Sequence, residues 1–226
     1  MNTSLTEIAF ILDRSGSMQP LAEQAVTGFN SFLAEQQQAK GKARITLVLF
    51  DHEYVVPASS VPVEEVLPLD MTTYVPRGCT ALLDAIGRTI DDLGARLAAL
   101  PESDRPGTVM VAILTDGEEN SSRQFTWHDV SDRIRHQTDV YKWNFLFLGA
   151  NQDAIATAAN LHIDRKNAST FAADGVGLRA STAALAKKMA AYRSMSLGCA
   201  SPLEQATIDE PLSDAVADED RKRRGK

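Results

Sequence analysis

Ile8-Ala9-Phe10-Ile11-Leu12-Asp13-Arg14-Ser15-Gly16-Ser17 is the stretch on which the reading of the fold turns. Five apolar residues in a row suit a strand covered on both faces, as in a parallel sheet sandwiched between helices. The run stops abruptly at an aspartate and becomes a tight polar turn. In an open α/β sheet such a turn lies at the carboxyl end of its strand, where ligand sites form beside the point at which strand order reverses. Asp13, Ser15 and Ser17 thus place three oxygen-bearing side chains on one loop.

Outward from this stretch the same alternation repeats. Ile45 to Phe50, Val109 to Leu114 and Trp143 to Leu148 are apolar and rich in β-branched or aromatic residues, so each predicts a buried strand. Tyr54 to Ala58 carries Pro57, which places it at a sheet edge, joined to Phe50 by a hairpin turn over Asp51-His52-Glu53. A short strand over Ser169 to Ala172 completes the sheet. Between the strands, Leu21, Ala25, Val26, Phe29, Phe32 and Leu33 recur at spacings of three and four, the mark of a helix with one apolar face. Leu82, Leu83, Ile86, Ile90, Leu93 and Leu97 do likewise, and that helix stops before Pro101. Further helices are predicted over Trp127 to His136, Ala154 to Asn160 and Leu178 to Met195. Strand and helix therefore alternate, which defines an α/β sheet with helices on both faces.

Composition bounds what such a chain can do. At 226 residues and 44% hydrophobic content it is long enough for one substantial core. A net charge of −7 argues against a nucleic-acid binder, whose affinity rests on clustered Lys and Arg. Only Arg221 to Lys226 is locally basic, and it reads as a solvated chain end. Cys79 and Cys199 form no paired motif, which fits a reducing compartment. The start, Met1 to Glu7, lacks the basic and apolar segments of a signal peptide, and no run is apolar enough to span a membrane. The expectation is a soluble, cytoplasmic protein with no membrane partner. After Leu197 the composition turns to Pro, Ser and acidic residues. The reading is therefore one domain over residues 1–197 and a flexible acidic tail over 198–226 that ends in the basic cluster.

Two further oxygen donors arrive at the same sheet end. Asp116 follows the strand Val109 to Leu114, and Thr80 opens the helix that begins near Leu82. If the first strand and the Val109 strand are neighbours, Asp13, Ser15, Ser17, Thr80 and Asp116 converge. All five are hard oxygen ligands, which suit Mg²⁺ or Mn²⁺ and not zinc or copper. Two carboxylates and three hydroxyls leave a six-coordinate ion incompletely enclosed, so a position stays open or water-filled. An Asp or Glu carboxylate from a partner protein would complete the shell.

The Asp-x-Ser-x-Ser run at 13–17, the Gly78-Cys79-Thr80-Ala81-Leu82-Leu83-Asp84-Ala85-Ile86 stretch and Thr115-Asp116-Gly117 resemble, in order and spacing, the three parts of the metal-ion-dependent adhesion site (MIDAS) of von Willebrand factor A (VWA) domains. The resemblance runs from about Leu5 to Tyr192 and is nearest to stand-alone intracellular bacterial members. It implies a doubly wound, Rossmann-like, mostly parallel sheet with one antiparallel edge strand. It also implies hydroxyl ligation by Ser15, Ser17 and Thr80, with Asp13 and Asp116 acting directly or through water. The function so implied is a metal-dependent protein–protein interaction module, a cytoplasmic adaptor or regulator and not an enzyme.

Each part also has an ordinary reading. Ser15 or Ser17 could cap the following helix, Thr80 could cap its own, and Asp116-Gly117 is a common turn pair. Their joint occurrence at one sheet end favours the metal site. The alternative is a Mg²⁺-dependent phosphohydrolase or phosphotransferase with Asp13 as nucleophile. Such enzymes need a second carboxylate two residues later, where this chain has Ser15. No glycine-rich phosphate loop follows the first strand. His52, His128, His136 and His162 lack ligand spacing, and Glu118-Glu119 reads as a solvated pair. Arg14, if exposed beside the ion, would pair with a second partner carboxylate. The acidic tail residues Asp209, Glu210 and Asp214 would be free to reach back to the ion in competition with partners.

Overall fold

The structure, a computed structural model, describes residues 1–150 and 154–225. Lys226, the last residue of the basic cluster, lies outside the described residues. Six strands form one sheet: β1 (Asn2–Asp13), β2 (Lys42–Phe50), β3 (Tyr54–Pro62), β4 (Pro106–Thr115), β5 (Asn144–Ala150) and β6 (Ala168–Phe171), in the order β3-β2-β1-β4-β5-β6. β1 pairs in parallel with both β2 and β4, β5 with β4 and β6. Among the described residues only the β2–β3 hairpin is antiparallel, and Pro57 sits on that edge strand as expected.

The long apolar runs form central strands because both of their faces are covered. In β1, Ile8, Phe10 and Leu12 belong to the core under α1 (Ala22–Gln38) and α5 (Gly175–Ser196), while Ala9 and Ile11 face α2 (Leu82–Ala99) and α3 (Trp127–Tyr141). In β4, Met110, Ala112 and Leu114 alternate with Val111 and Ile113 in the same way. The short α4 (Ala154–Asn160) joins the second core. α1 lies close against α5: a Cβ on Gly28 would stand 2.9 Å from Thr182 Oγ1.

The expected flexible tail is corrected. After residue 197 the chain folds into α6 (Pro202–Asp209) and α7 (Leu212–Arg224), and Ile208, Leu212 and Val216 are buried in the first core. Ser201 and Glu204 form a reciprocal capping box with Pro202 in the first turn. Lys188 on α5 is buried and donates to the carbonyls of Ile208 (2.7 Å) and Glu210 (2.5 Å), closing the end of α6. The terminal basic residues are spent on α7 itself and on α5: Arg224 meets Asp220 at 2.7 Å and Asp174 at 2.8 Å, and Arg223 meets Glu219 at 3.4 Å. The carboxylates pictured as reaching back to the ion thus belong to a helical pair packed on α5. No helix among the described residues is long and apolar enough to cross a membrane.

Candidate metal centre

Strand order makes the site. β1 runs to β2 on one side and has β4 on the other, so the β1/β4 boundary is the place where the connections diverge and a crevice opens at the carboxyl ends. With Leu12 opposite Leu114, Asp13 and Thr115 end their strands side by side.

Asp13 is fully buried. One carboxylate oxygen accepts from Ser15 N–H at 2.7 Å and the other from Thr115 Oγ1 at 2.5 Å. Its carbonyl accepts from the buried Tyr74 hydroxyl at 2.5 Å. Burial pushes the Asp13 carboxyl up to about 6, against the lowering effect of these hydrogen bonds, and the nearby Asp116 charge adds to the rise. Ser15 opens a 3-10 turn over Gly16–Leu21 but makes no side-chain cap, so the capping reading does not explain it. Its hydroxyl instead lies 3.0 Å from Ser17 Oγ, and Ser17 Oγ donates to Asp116 at 2.6 Å. Asp116 is also raised, mainly by burial.

Thr80 arrives from the loop before α2, almost fully buried. Its N–H donates to Asn120 Oδ1 at 2.9 Å, and its carbonyl accepts from Asn120 and Ser121 N–H. The cap of α2 is Ala81 rather than Thr80. The free N–H groups of that helix end are met by Glu119, which accepts from Leu83 N–H at 2.9 Å, and by Ser122, which accepts from Asp84 N–H at 3.0 Å. Glu119 is therefore a structural acceptor rather than a solvated charge. Gly117 shows how closely Thr80 and Ser17 approach: a Cβ there would stand 2.9 Å from Thr80 Oγ1 and 3.3 Å from Ser17 Oγ. The five expected side chains are brought to one place, Ser15, Ser17 and Asp116 by direct contact, Asp13 through Thr115 and Ser15, and Thr80 across Gly117.

The donor set fits a hard divalent cation. Neighbouring ligands of an octahedral ion with bonds of ~2.1 Å stand about 3 Å apart, and the Ser15–Ser17 and Ser17–Asp116 separations, 3.0 and 2.6 Å, are of that order. Among the described residues no three His, Cys, Asp or Glu side chains gather, so hydroxyls must supply much of any shell.

Arg14 departs from expectation. It is 7% exposed, with Nε 3.1 Å from Asp51 and Nη2 3.6 Å from Glu53, and Arg77 shares both acids. Its charge is consumed within the protein because its side chain turns back under the β2–β3 hairpin. Tyr74 and Asn120 have no place in the sequence reading, and Thr115 enters it only as part of the Thr115-Asp116-Gly117 motif, without a role of its own. For Thr115 the usable signal is strand register, which sets a hydroxyl beside a strand-ending aspartate. Cys79 and Cys199 are exposed and free.

No protein-family model and no curated protein matches the sequence. Solved structures do. The chain is similar to a von Willebrand factor type A protein from Catenulispora acidiphila, with a TM-score of 0.52 at 17% identity over 82% of this chain and 42% of that one. It is similar to the ArnB paralog VWA2 from Sulfolobus acidocaldarius, with a TM-score of 0.52 at 16% identity over 83% of this chain and 45% of that one. It is also similar to the manganese-loaded TRAP protein of Plasmodium vivax, with a TM-score of 0.55 at 14% identity over 80% of this chain and 72% of that one. The chain spans less than half the length of the first two. The fold is thus that of a von Willebrand factor A domain, as the resemblance implied, and at these identities the likeness is one of fold alone.

Proposed function

We propose that the chain is a divalent-metal-dependent protein-interaction module of the MIDAS type, acting as a cytoplasmic adaptor or regulator. Ser15, Ser17 and Thr80 would supply hydroxyl oxygens, and Asp13 and Asp116 carboxylates, to Mg²⁺ or Mn²⁺. The bound ion would supply an electrophilic centre with a position open to an Asp or Glu carboxylate from a partner protein. The observation that carries this reading is the gathering of three hydroxyls and two carboxylates at the β1/β4 switch point with oxygen spacings suited to one ion. The manganese-loaded state of one structurally similar protein supports a divalent ion.

Binding is favoured over phosphoryl transfer by the setting of Asp13. An aspartate nucleophile needs a second carboxylate two residues on as general acid and base, and beside Asp13 that position is Ser15, whose hydroxyl lies 3.0 Å from Ser17 Oγ. Unpaired, exposed cysteines support the cytoplasmic assignment.

The test is affinity capture from native extract on the immobilised chain, run with Mg²⁺, with excess chelator, and with an Asp116→Ala variant. Partners retained only in the first condition are expected. Equal retention in all three, or metal-dependent turnover of generic phosphate esters, would overturn the proposal.

A further inference from the structure

The metal loop is braced by a segment that is not part of the sheet. β1 keeps its register with β4 as far as Leu12 and Leu114, so that ladder stops one residue before Asp13. The Asp13 carbonyl is met instead by the hydroxyl of Tyr74, which donates to it at 2.5 Å. Tyr74 comes from the loop between β3 and α2 and is fully buried, its ring part of the core under α1 and α5. Two more bonds tie the same segment to the residues after Asp13: Arg77 N–H donates to the Arg14 carbonyl at 2.8 Å, and Gly16 N–H to the Gly78 carbonyl at 3.1 Å. The two segments touch, since a Cβ on Gly16 would stand 3.2 Å from that carbonyl.

Tyr74 is itself held from behind. Asn30 of α1 grips Leu69 at both its N–H and its carbonyl, each at 2.8 Å. Asp70 then closes a turn: its carboxylate accepts from the N–H groups of Thr72 and Thr73 at 2.8 Å, and its carbonyl from Tyr74 N–H at 2.9 Å. Hydrogen bonds thus run from α1 through residues 69–74 to the Asp13 carbonyl.

The setting of that carbonyl matters to an ion. A peptide unit is planar, so fixing the Asp13 carbonyl fixes the Asp13–Arg14 peptide plane. Together with Arg14 N–H on the Phe50 carbonyl at 2.7 Å, it sets the direction in which the chain leaves the strand. Ser15 follows at once, its N–H on the Asp13 carboxylate at 2.7 Å and its hydroxyl 3.0 Å from Ser17 Oγ. Ion ligands must be held to within about 0.5 Å, and a tilt of this plane displaces Ser15 and Ser17 against Thr80 and Asp116, which arrive on other loops. Without the Tyr74 hydroxyl a buried carbonyl lacks its donor, and the plane turns toward whatever donor is left.

We infer that Tyr74 is a positioning residue for the metal centre: by holding the Asp13 carbonyl it keeps the oxygens of Asp13, Ser15 and Ser17 in the arrangement that receives a divalent ion. The inference rests on the metal-binding reading above, and Tyr74 acts through Asp13 without touching the ion.

Calorimetric titration of the full chain with Mg²⁺ compares wild type, Tyr74→Phe and Leu212→Ala, with a thermal melt in chelator reporting the stability of each. Phenylalanine keeps the ring in the core and removes the hydroxyl alone. Leu212, buried at the start of α7, lowers stability from a different element. Tyr74→Phe is expected to bind Mg²⁺ about tenfold more weakly or worse, and Leu212→Ala as tightly as wild type. Equal affinity in Tyr74→Phe and wild type overturns the inference, and so does a matching loss in Leu212→Ala, which would make affinity a reflection of stability alone. No uptake by the wild type removes the metal reading itself, an outcome distinct from either. Should Tyr74→Phe not fold, Asn30→Ala is titrated in its place, since it releases Leu69 and leaves the Tyr74 hydroxyl present. Weaker Mg²⁺ binding is then expected, and affinity equal to wild type overturns the inference.

Discussion

Asp13 ends a buried strand as a carboxylate with no direct cationic partner, and its energetics follow from that position. Burial raises it from an ordinary value of about 3.9 to about 6. In the metal-free protein the folded state therefore holds its proton to higher pH than the unfolded state does. As pH rises from about 4 to about 6 the unfolded chain ionises first, stability falls, and the full cost persists above pH 6. That displacement corresponds to about 3 kcal/mol. An asparagine can still accept from Ser15 N–H and can donate to Thr115 Oγ1, whose own proton has the Gly117 carbonyl within 3.1 Å. In chelator at pH 7, Asp13→Asn is expected to be more stable than wild type by up to about 3 kcal/mol in urea unfolding, with the difference vanishing near pH 4. A variant less stable than wild type at pH 7 would show that the carboxylate is held favourably without an ion. The residues that gather here are legible from type and order, because oxygen-bearing side chains at strand ends are conspicuous. Tyr74 is not, since its role is one hydroxyl reaching a backbone carbonyl 61 positions away, and sequence periodicity carries no trace of that contact.

At the scale of elements, the central strands are legible because burial on both faces demands unbroken apolar runs, and the helices because one face demands spacings of three and four. Ends are less so: α3 runs to Tyr141 rather than His136, closing on Lys142 in a left-handed conformation that nothing in its apolar pattern announces. The C-terminal helices escape notice for a different reason. Ile208, Leu212 and Val216 are too sparse to look like a core on their own, and they suffice only because α5 lies beneath them. The local signals were the Ser201/Glu204 capping box and the acidic start and basic finish of α7, which complement the helix dipole. Leu212, fully buried at the start of α7, measures the consequence. Leu212→Ala is expected to lose about 2–5 kcal/mol of stability and to expose Arg221 to Arg224 to trypsin. A detached tail would show neither effect, so unchanged melting and cleavage would refute the packed arrangement.

At the scale of the molecule, the sheet order brings two aspartates together at the one boundary where helices leave in opposite directions, and each is raised by burial. The same fold supplies few cations in compensation. Arg14 and Arg77, the basic residues that flank the site in sequence, are committed to Asp51 and Glu53. An ion bound by the native state and not by the unfolded chain would relieve this burden and stabilise the whole domain by mass action. At a free Mg²⁺ concentration ten times the dissociation constant the gain is about 1.4 kcal/mol, which for a domain of this size raises the melting temperature by about 3–6 °C. The rise is expected to reverse with chelator and to be absent in Asp13→Asn, the variant predicted to be more stable than wild type without metal. The two measurements thus move in opposite directions for one substitution, as they must if a single buried charge is costly without an ion and useful with it. A melting temperature indifferent to Mg²⁺ and Mn²⁺ in the wild type would leave the aspartate pair without the counter-charge on which the proposed function depends.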